Sequence, residues 1–334
     1  MNKTAECRAF APGSVGNLAC GFDVLGMCLG APGDEVLARI SSAPGVRIES
    51  IHGDAGRLPS EPLKNAAGAA AQAVLTELGA SHGVELEIRK GLPLAAGMGG
   101  SAASAVAAAV AVDGLLRGKL SPEALLRCAL SGEAVAAGAA HPDNAAASLL
   151  GGIVLVPTWE PVRAIGLPVP EELAVVLIHP HLEVETAAAR EILGDSVTLA
   201  DATTQWGNTA ALVTGLFRGD WELISRAVED RVAEPLRGRA VPGFQQAKAA
   251  ALESGALAAS LSGSGPSVFA LCRGRDRAEA VGAAVSDAFQ SAAALRSDVV
   301  IAVGPAPGAR ILQTPGAGER PSDPPSDSGS APPR

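Results

Sequence analysis

The stretch Gly91-Leu92-Pro93-Leu94-Ala95-Ala96-Gly97-Met98-Gly99-Gly100-Ser101-Ala102-Ala103-Ser104 gathers residue types that can bind a phosphate. Three glycines in four positions open backbone conformations closed to other residues. They also remove the Cβ atoms that would hold a bulky anion away from the amides. A strand over residues 84–89 is expected to enter the stretch, and an alanine-rich helix starting near Ser101 to leave it. The free N–H groups and the dipole at that helix start would face the anion. Ser101 and Ser104 add hydroxyls. A plain glycine turn with a serine N-cap accounts for the same residues, so the stretch alone leaves both readings open.

Other polar residues stand out against apolar surroundings. Asn17 and Asp23 lie in the glycine-containing loop 12–23, where they either cap turns or face a polar ligand. Asn65 falls in the first turn of a helix expected over 63–78, as a cap or a ligand contact. Glu133 sits among Ala and Val in a helix expected over 123–137. A carboxylate there must be exposed, paired or bound to a cation. His141, Asp143 and Asn144 cluster at an element boundary. Thr186 and Arg190, four apart, share one face of a short helix over 185–193. Arg237 ends the segment Glu234-Pro235-Leu236-Arg237 between two further helices.

The elements that must position these residues are strands mixed with helices, without strict βαβ alternation, which indicates an α+β arrangement. Segments 34–40 and 45–51 read as a hairpin around Ser41-Ser42-Ala43-Pro44. A composition shift near 158–170 marks a domain boundary, dividing the chain into 1–160 and 161–312. Residues 313–334 are read as a disordered tail, since 315–334 is rich in Pro, Ser and Asp and almost free of apolar side chains.

Composition narrows the function. With 334 residues and 48% hydrophobic content, the chain can build a large core; with 3% aromatics and no Tyr, that core must be aliphatic. Scarce aromatics and a net charge of −9 argue against nucleic acid as a partner. The longest apolar run, 102–112, is short for a membrane span. Five scattered cysteines, odd in number and without metal spacing, fit a reducing cytoplasm. The sequence does not set the oligomeric state; a homodimer is the assembly considered.

Taken together, these stretches closely resemble the GHMP small-molecule kinases, the homoserine kinases among them. The family's phosphate loop, Pro-x-x-x-Gly-Leu-Gly-Ser-Ser-Ala, appears here as Pro93-Leu94-Ala95-Ala96-Gly97-Met98-Gly99-Gly100-Ser101-Ala102. Met98 replaces Leu and Gly100 replaces the first Ser. Asn17-Leu18-Ala19-Cys20-Gly21-Phe22-Asp23, His141-Pro142-Asp143-Asn144, Thr186 with Arg190, Glu234-Pro235-Leu236-Arg237 and Ser260-Leu261-Ser262-Gly263-Ser264-Gly265-Pro266 follow in the family's order. Leu236 stands where Tyr is usual. The matches span about residues 5–305.

The resemblance implies a two-domain GHMP kinase fold of class α+β, with a ribosomal-protein-like amino-terminal domain and a ferredoxin-like carboxy-terminal domain. It implies ATP-dependent phosphorylation of the side-chain hydroxyl of L-homoserine, a step of threonine biosynthesis. Residues 93–103 and Asn65 would bind ATP. Ser101 and Glu133 would hold Mg²⁺. Asn17, Asp23, His141, Asp143, Asn144, Thr186, Arg190 and Arg237 would bind the amino-acid substrate, with Arg190 and Glu133 assigned to the chemistry and no catalytic base assigned. The rivals are a kinase for another alcohol, such as mevalonate or shikimate, and a non-catalytic relative that only binds a metabolite. Keeping both Ser101 and Glu133 disfavours the latter.

Deleting residues 315–334 should leave the melting temperature and any turnover almost unchanged, because the segment lacks the apolar residues to join a core. A large drop in melting temperature on truncation would show that the tail docks.

Overall fold

The strand at Leu173–Pro180 is rich in Val, Leu and Ile, while the helices at Ala66–Glu77 and Gly100–Leu115 are alanine-rich. The computed structural model describes residues 5–314 apart from 119 and 139; the tail 315–334 lies outside the described residues. In chain order the first half comprises β1 (Glu6–Gly16), β2 (Leu25–Ser41), β3 (Val46–His52), α1 (Ala66–Glu77), β4 (Gly83–Arg89), α2 (Gly100–Leu115), α3 (Pro122–Ala137), α4 (Pro142–Leu150), β5 (Ile153–Trp159) and β6 (Val162–Leu167). The second half comprises β7 (Leu173–Pro180), α5 (Thr186–Glu191), α6 (Leu199–Arg218), α7 (Trp221–Ala227), α8 (Glu234–Arg237), α9 (Phe244–Glu253), β8 (Ala258–Leu261), β9 (Val268–Arg273), α10 (Arg275–Ala293), β10 (Ser297–Val303) and β11 (Arg310–Gln313).

Two sheets result. The larger has the order β11-β1-β2-β4-β3, with β5 and β6 continuing from the first residues of β2. The smaller has the order β10-β7-β9-β8. The hairpin expected for 34–40 and 45–51 does not form. β4 inserts between the two segments, antiparallel to β2 and parallel to β3. A later strand with a matching apolar face wins over the short connection, because pairing is set by what each face buries. Two strands also lie across the boundary drawn from composition. β6 pairs with β5, and β11 returns to pair with β1.

Helices α1 to α4 pack one face of the larger sheet through small side chains. Their close approach is visible at Gly132, where a Cβ would stand 2.2 Å from the Ala66 carbonyl oxygen. In the smaller sheet β7 is buried on both faces. Its Leu173, Val175 and Leu177 share a core with Leu25 and Ile153 of the larger sheet and Leu212 and Leu216 of α6. Ala174, Val176 and Ile178 pack instead with Phe244 of α9 and Val281, Val285 and Phe289 of α10. Successive side chains on this strand thus join different cores, and those two apart share one. No helix among the described residues is long and apolar enough to cross a membrane.

The glycine stretch links β4 to α2 and is anchored at its root by charges. Lys90 forms a buried ion pair with Asp34 of β2; the two side chains are 2% and 0% exposed. Lys90 Nζ also donates to Gly100 O and Ser104 Oγ, each at 2.8 Å. Asp34 Oδ1 accepts from the amides of Gly91 and Leu92 at 2.9 and 3.2 Å, and Oδ2 accepts from Ser104 Oγ at 2.6 Å. Ser104 therefore braces the root of the loop, its hydroxyl shared between Lys90 and Asp34.

Lys90→Met should destabilise the fold by about 3–5 kcal/mol, since it leaves the Asp34 carboxylate buried without its cation. Adding Asp34→Asn should recover much of that loss. Urea unfolding of the two variants checks this; equal stability of Lys90→Met and the parent would refute it.

Candidate active site

A cleft of about 490 Å³ opens between the glycine stretch and the second half of the chain. Its floor is the stretch from Pro93 to Ser101, bent through left-handed conformations at Ala95, Gly97 and Gly99. Two of the glycines are required by space. A Cβ on Gly97 would meet the carbonyl oxygens of Gly265 and Ser262 at 2.5 and 2.6 Å. One on Gly99 would meet Ser14 Oγ at 2.4 Å. Gly100 differs: its α2 backbone is ordinary and a Cβ there would meet nothing closer than 3.6 Å. The departure from Ser at Gly100 therefore removes a hydroxyl without being imposed by packing.

The loop after β8 closes on the glycine stretch from the other side. Ser262 Oγ donates to Gly97 O and Ser267 Oγ to Ala96 O, both at 2.6 Å. These bonds take up carbonyls of the stretch, while α2 begins at Gly100 with Gly99 as its N-cap, which offers no side-chain cap. The first amides of α2 are thereby available to an anion in the cleft.

Beyond that end lies Glu133, 2% exposed. Its Oε1 has no hydrogen-bond partner among the described residues, and its Oε2 stands 3.6 Å from His141 Nδ1. Burial opposes protonation of His141, but the Glu133 hydrogen bond and charge, with Asp143 and Asp23 behind them, hold its pKa above the ordinary value. Asp143 is 1% exposed and accepts from the Asn17 amide at 2.9 Å. Asn17 Oδ1 in turn accepts from the Asp23 amide at 3.1 Å. Asn144 Oδ1 accepts from Ser14 Oγ at 2.9 Å.

The two arginines converge on one aromatic ring. The guanidinium carbons of Arg190 and Arg237 lie 5.1 and 5.4 Å from the Phe22 ring centre. Arg237 is 5% exposed and is fixed by Ala189 O at 2.9 Å and Gly263 O at 3.0 Å. Arg190 is half-exposed and pairs with Asp23.

The fold thus brings Asn17, Asp23, Glu133, His141, Asp143, Asn144, Thr186, Arg237 and residues 93–101 to one cleft. Arg190 does not line it; it borders an adjoining apolar groove with Phe22 and Trp206 and touches the cleft only through Asp23. Ala102 and Ala103 are fully buried in α2 and do not line it either. Asn65 reaches its wall, but its amide group is taken up at the start of α1. Oδ1 accepts from Ala67 and Gly68 amides, and Nδ2 donates to Pro59 O at 3.0 Å. Lys90 and Arg57 line the cleft without standing out in sequence, where each is an isolated charge, and only the folded neighbourhood gives it a place there; Ser264 lines it from within the 260–266 motif.

Comparison with known proteins follows the same lines. The GHMP kinases N terminal domain matches residues 65–152 and the GHMP kinases C terminal domain residues 212–291. A homoserine kinase of Chloroherpeton thalassium is 44% identical over 317 residues, covering 92% of this chain and 99% of that one. A homoserine kinase of Xylella fastidiosa is 45% identical over 307 residues, covering 92% and 94%. The crystal structure of homoserine kinase from Cytophaga hutchinsonii superposes with a TM-score of 0.89 at 44% identity, covering 93% of this chain and 99% of that one. With the glycine stretch, the buried Glu133 and the grouped aspartates and arginines lying as described, the chain belongs to the GHMP kinase family, among its homoserine kinases.

Proposed function

We propose that the cleft transfers the γ-phosphoryl group of ATP to the side-chain hydroxyl of L-homoserine, giving O-phospho-L-homoserine and ADP. The observation that carries this is the charge pattern at the acceptor end. Asp23 and Asp143 stand beside Arg190 and Arg237, a pattern that suits a small zwitterion with one ammonium and one carboxylate. An acidic alcohol without an ammonium, such as mevalonate, would draw Arg190 from Asp23 and give Asp23 no cation in return.

In this reading the glycine stretch and the start of α2 bind the triphosphate through amides and dipole. Arg237 and Arg190 take the substrate carboxylate, since guanidinium pairs with it in a two-point geometry. Asp23 takes the ammonium, exchanging its Arg190 partner for the substrate. Asn17, His141, Asp143, Asn144 and Thr186 hold the hydroxyl end. The hydroxyl oxygen bonds to the γ-phosphorus as the bond to the β,γ-bridging oxygen breaks, and the hydroxyl proton passes to an oxygen of the transferred phosphoryl group. Catalysis rests on alignment and on charge, not on a covalent intermediate.

The donor set fits Mg²⁺. Glu133 Oε1 is a buried carboxylate oxygen lacking a partner among the described residues, and Ser101 lines the same cleft. A hard cation with one carboxylate, one hydroxyl, phosphate oxygens and waters matches the ion's preference. When bound it would neutralise phosphate charge. Buried, free Cys7, Cys20, Cys28, Cys128 and Cys272 support work in a reducing cytoplasm.

An ADP-release assay across alcohols tests the reading. Homoserine should be turned over, and its analogue without the carboxylate should be poor. Arg190→Leu should lower kcat/KM for homoserine about ten- to a hundredfold with little change in nucleotide affinity, the worth of a charge-assisted contact. It should also discriminate less against the analogue. Equal discrimination in parent and variant would remove Arg190 from carboxylate binding.

A second expectation concerns pH. Burial, then the Asp23 charge, push the Asp143 carboxyl up to about 6 against the Asn17 hydrogen bond. An unfolded aspartate titrates near ~3.9. The folded state therefore holds the proton more tightly. The stability from this group is present at low pH and is lost as pH rises through about 6. Asp143→Asn abolishes the titration, so its stability relative to the parent should rise by roughly 2–3 kcal/mol between about pH 4 and pH 7.5. Unfolding curves with a constant offset over that range would contradict this.

A further inference from the structure

One segment crosses the mouth of the cleft and is tied down at two successive residues. Glu183 receives a two-point ion pair from Arg57, with Nη1 2.6 Å from Oε1 and Nη2 2.8 Å from Oε2. The Val184 amide donates to the Ala95 carbonyl oxygen at 3.0 Å. Arg57, with Leu58 and Pro59, forms the cleft rim next to Asn65. Ala95 belongs to the glycine stretch itself and has a left-handed backbone, φ 52°. The segment then runs through Glu185 straight into α5, which begins at Thr186.

Helix α5 cannot hold its own place. It has six residues, and Ala189 is its only buried one. A helix so short is unstable alone, and one alanine supplies little burial. Its position comes from bonds at its two ends. Toward the carboxy end, Ala189 O meets Arg237 and Arg190 meets Asp23. Ahead of the amino end stand the two ties at Glu183 and Val184. One tie leads to the cleft rim, the other to the phosphate cradle.

We infer that Arg57 and Glu183 are positioning residues that couple the nucleotide end of the cleft to α5, so that filling the rim and glycine stretch fixes Thr186 and Arg190 at the acceptor end. The inference rests on the kinase reading above and goes beyond it by giving that reading an order of assembly. Neither side chain reaches the reacting atoms. Both are about half-exposed, so their pair adds little to global stability. It can still bias a helix that burial does not hold: a pair of this kind shifts an equilibrium about two- to fivefold.

Glu183→Ala is the informative variant, because Glu183 does not line the cleft. Its KM for homoserine should rise about two- to fivefold, with a smaller change in KM for ATP and an unchanged melting temperature. Arg57→Glu should raise the homoserine KM similarly and, because Arg57 lines the cleft rim, raise the ATP KM as well. The charge swap Arg57→Glu with Glu183→Arg should return the homoserine KM toward the parent value, a rescue that a merely structural role would not produce. Hydrogen exchange gives a readout independent of the acceptor: adding ATP with Mg²⁺ should slow exchange over residues 184–191 in the parent and much less in Glu183→Ala. A parent that does not phosphorylate homoserine would sink the substrate reading, and the exchange arm would still decide the coupling. Equal ATP-induced protection in parent and Glu183→Ala, or, where the parent turns homoserine over, an unaltered homoserine KM in Glu183→Ala, would overturn the inference.

Discussion

The buried pair between Lys90 and Asp34 is the constraint on which the rest of the site depends. Burying two charges is costly unless every remaining donor and acceptor is satisfied. Here they are: Lys90 has Asp34, Gly100 O and Ser104, and Asp34 has Lys90, Ser104 and two loop amides. The network joins the end of β4, the middle of β2 and the first turn of α2. A glycine-rich loop carries a large entropic cost on ordering. Fixing both of its roots confines that cost to a few residues, and leaves the amides of the next helix turn free for an anion.

The second half of the chain completes the cradle and does not merely face it. Ser262 and Ser267 hold carbonyls of the glycine stretch, and Gly265 O and Ser262 O pack where Gly97 lacks a side chain. The same loop supplies Gly263 O to Arg237 and to the Asn17 amide group. The glycine stretch and the Asn17–Arg237 end of the cleft are therefore built on one set of contacts. In a reaction driven by alignment, an error in that set would be felt at both ends.

Charge at the acceptor end is arranged by burial as much as by proximity. Asp143 lies deep, close enough to Asp23 to resist ionisation, while Asp23 is met by Arg190. Both guanidiniums lie within cation–π reach of the Phe22 ring, which draws them to one place. Glu133 and His141 form a separate pair toward the phosphate end. Opposite charges thus alternate along the cleft, and a zwitterion with a hydroxyl tail fits that alternation better than a neutral alcohol does.

The sequence by itself marked the glycine stretch as a candidate anion site, set the strand and helix on either side of it, and supplied the polar residue types around Asp23, Asp143, Arg190 and Arg237. These are local: a glycine spacing, a cap or an apolar period is complete within a dozen residues. It also made Glu133 conspicuous, since a carboxylate among alanines needs a reason. Tertiary structure alone decided the rest. Lys90 and Asp34 are 56 positions apart, Arg57 and Glu183 are 126 apart, and Ser262 and Gly97 are 165 apart. In sequence each reads as a solvated charge or a turn serine. Asn65 could be a cap or a contact until α1 claimed its amide group, and β3 could pair with β2 until β4 took the place between them. A side chain's partner across the fold depends on which faces are buried together, and no local pattern encodes that choice.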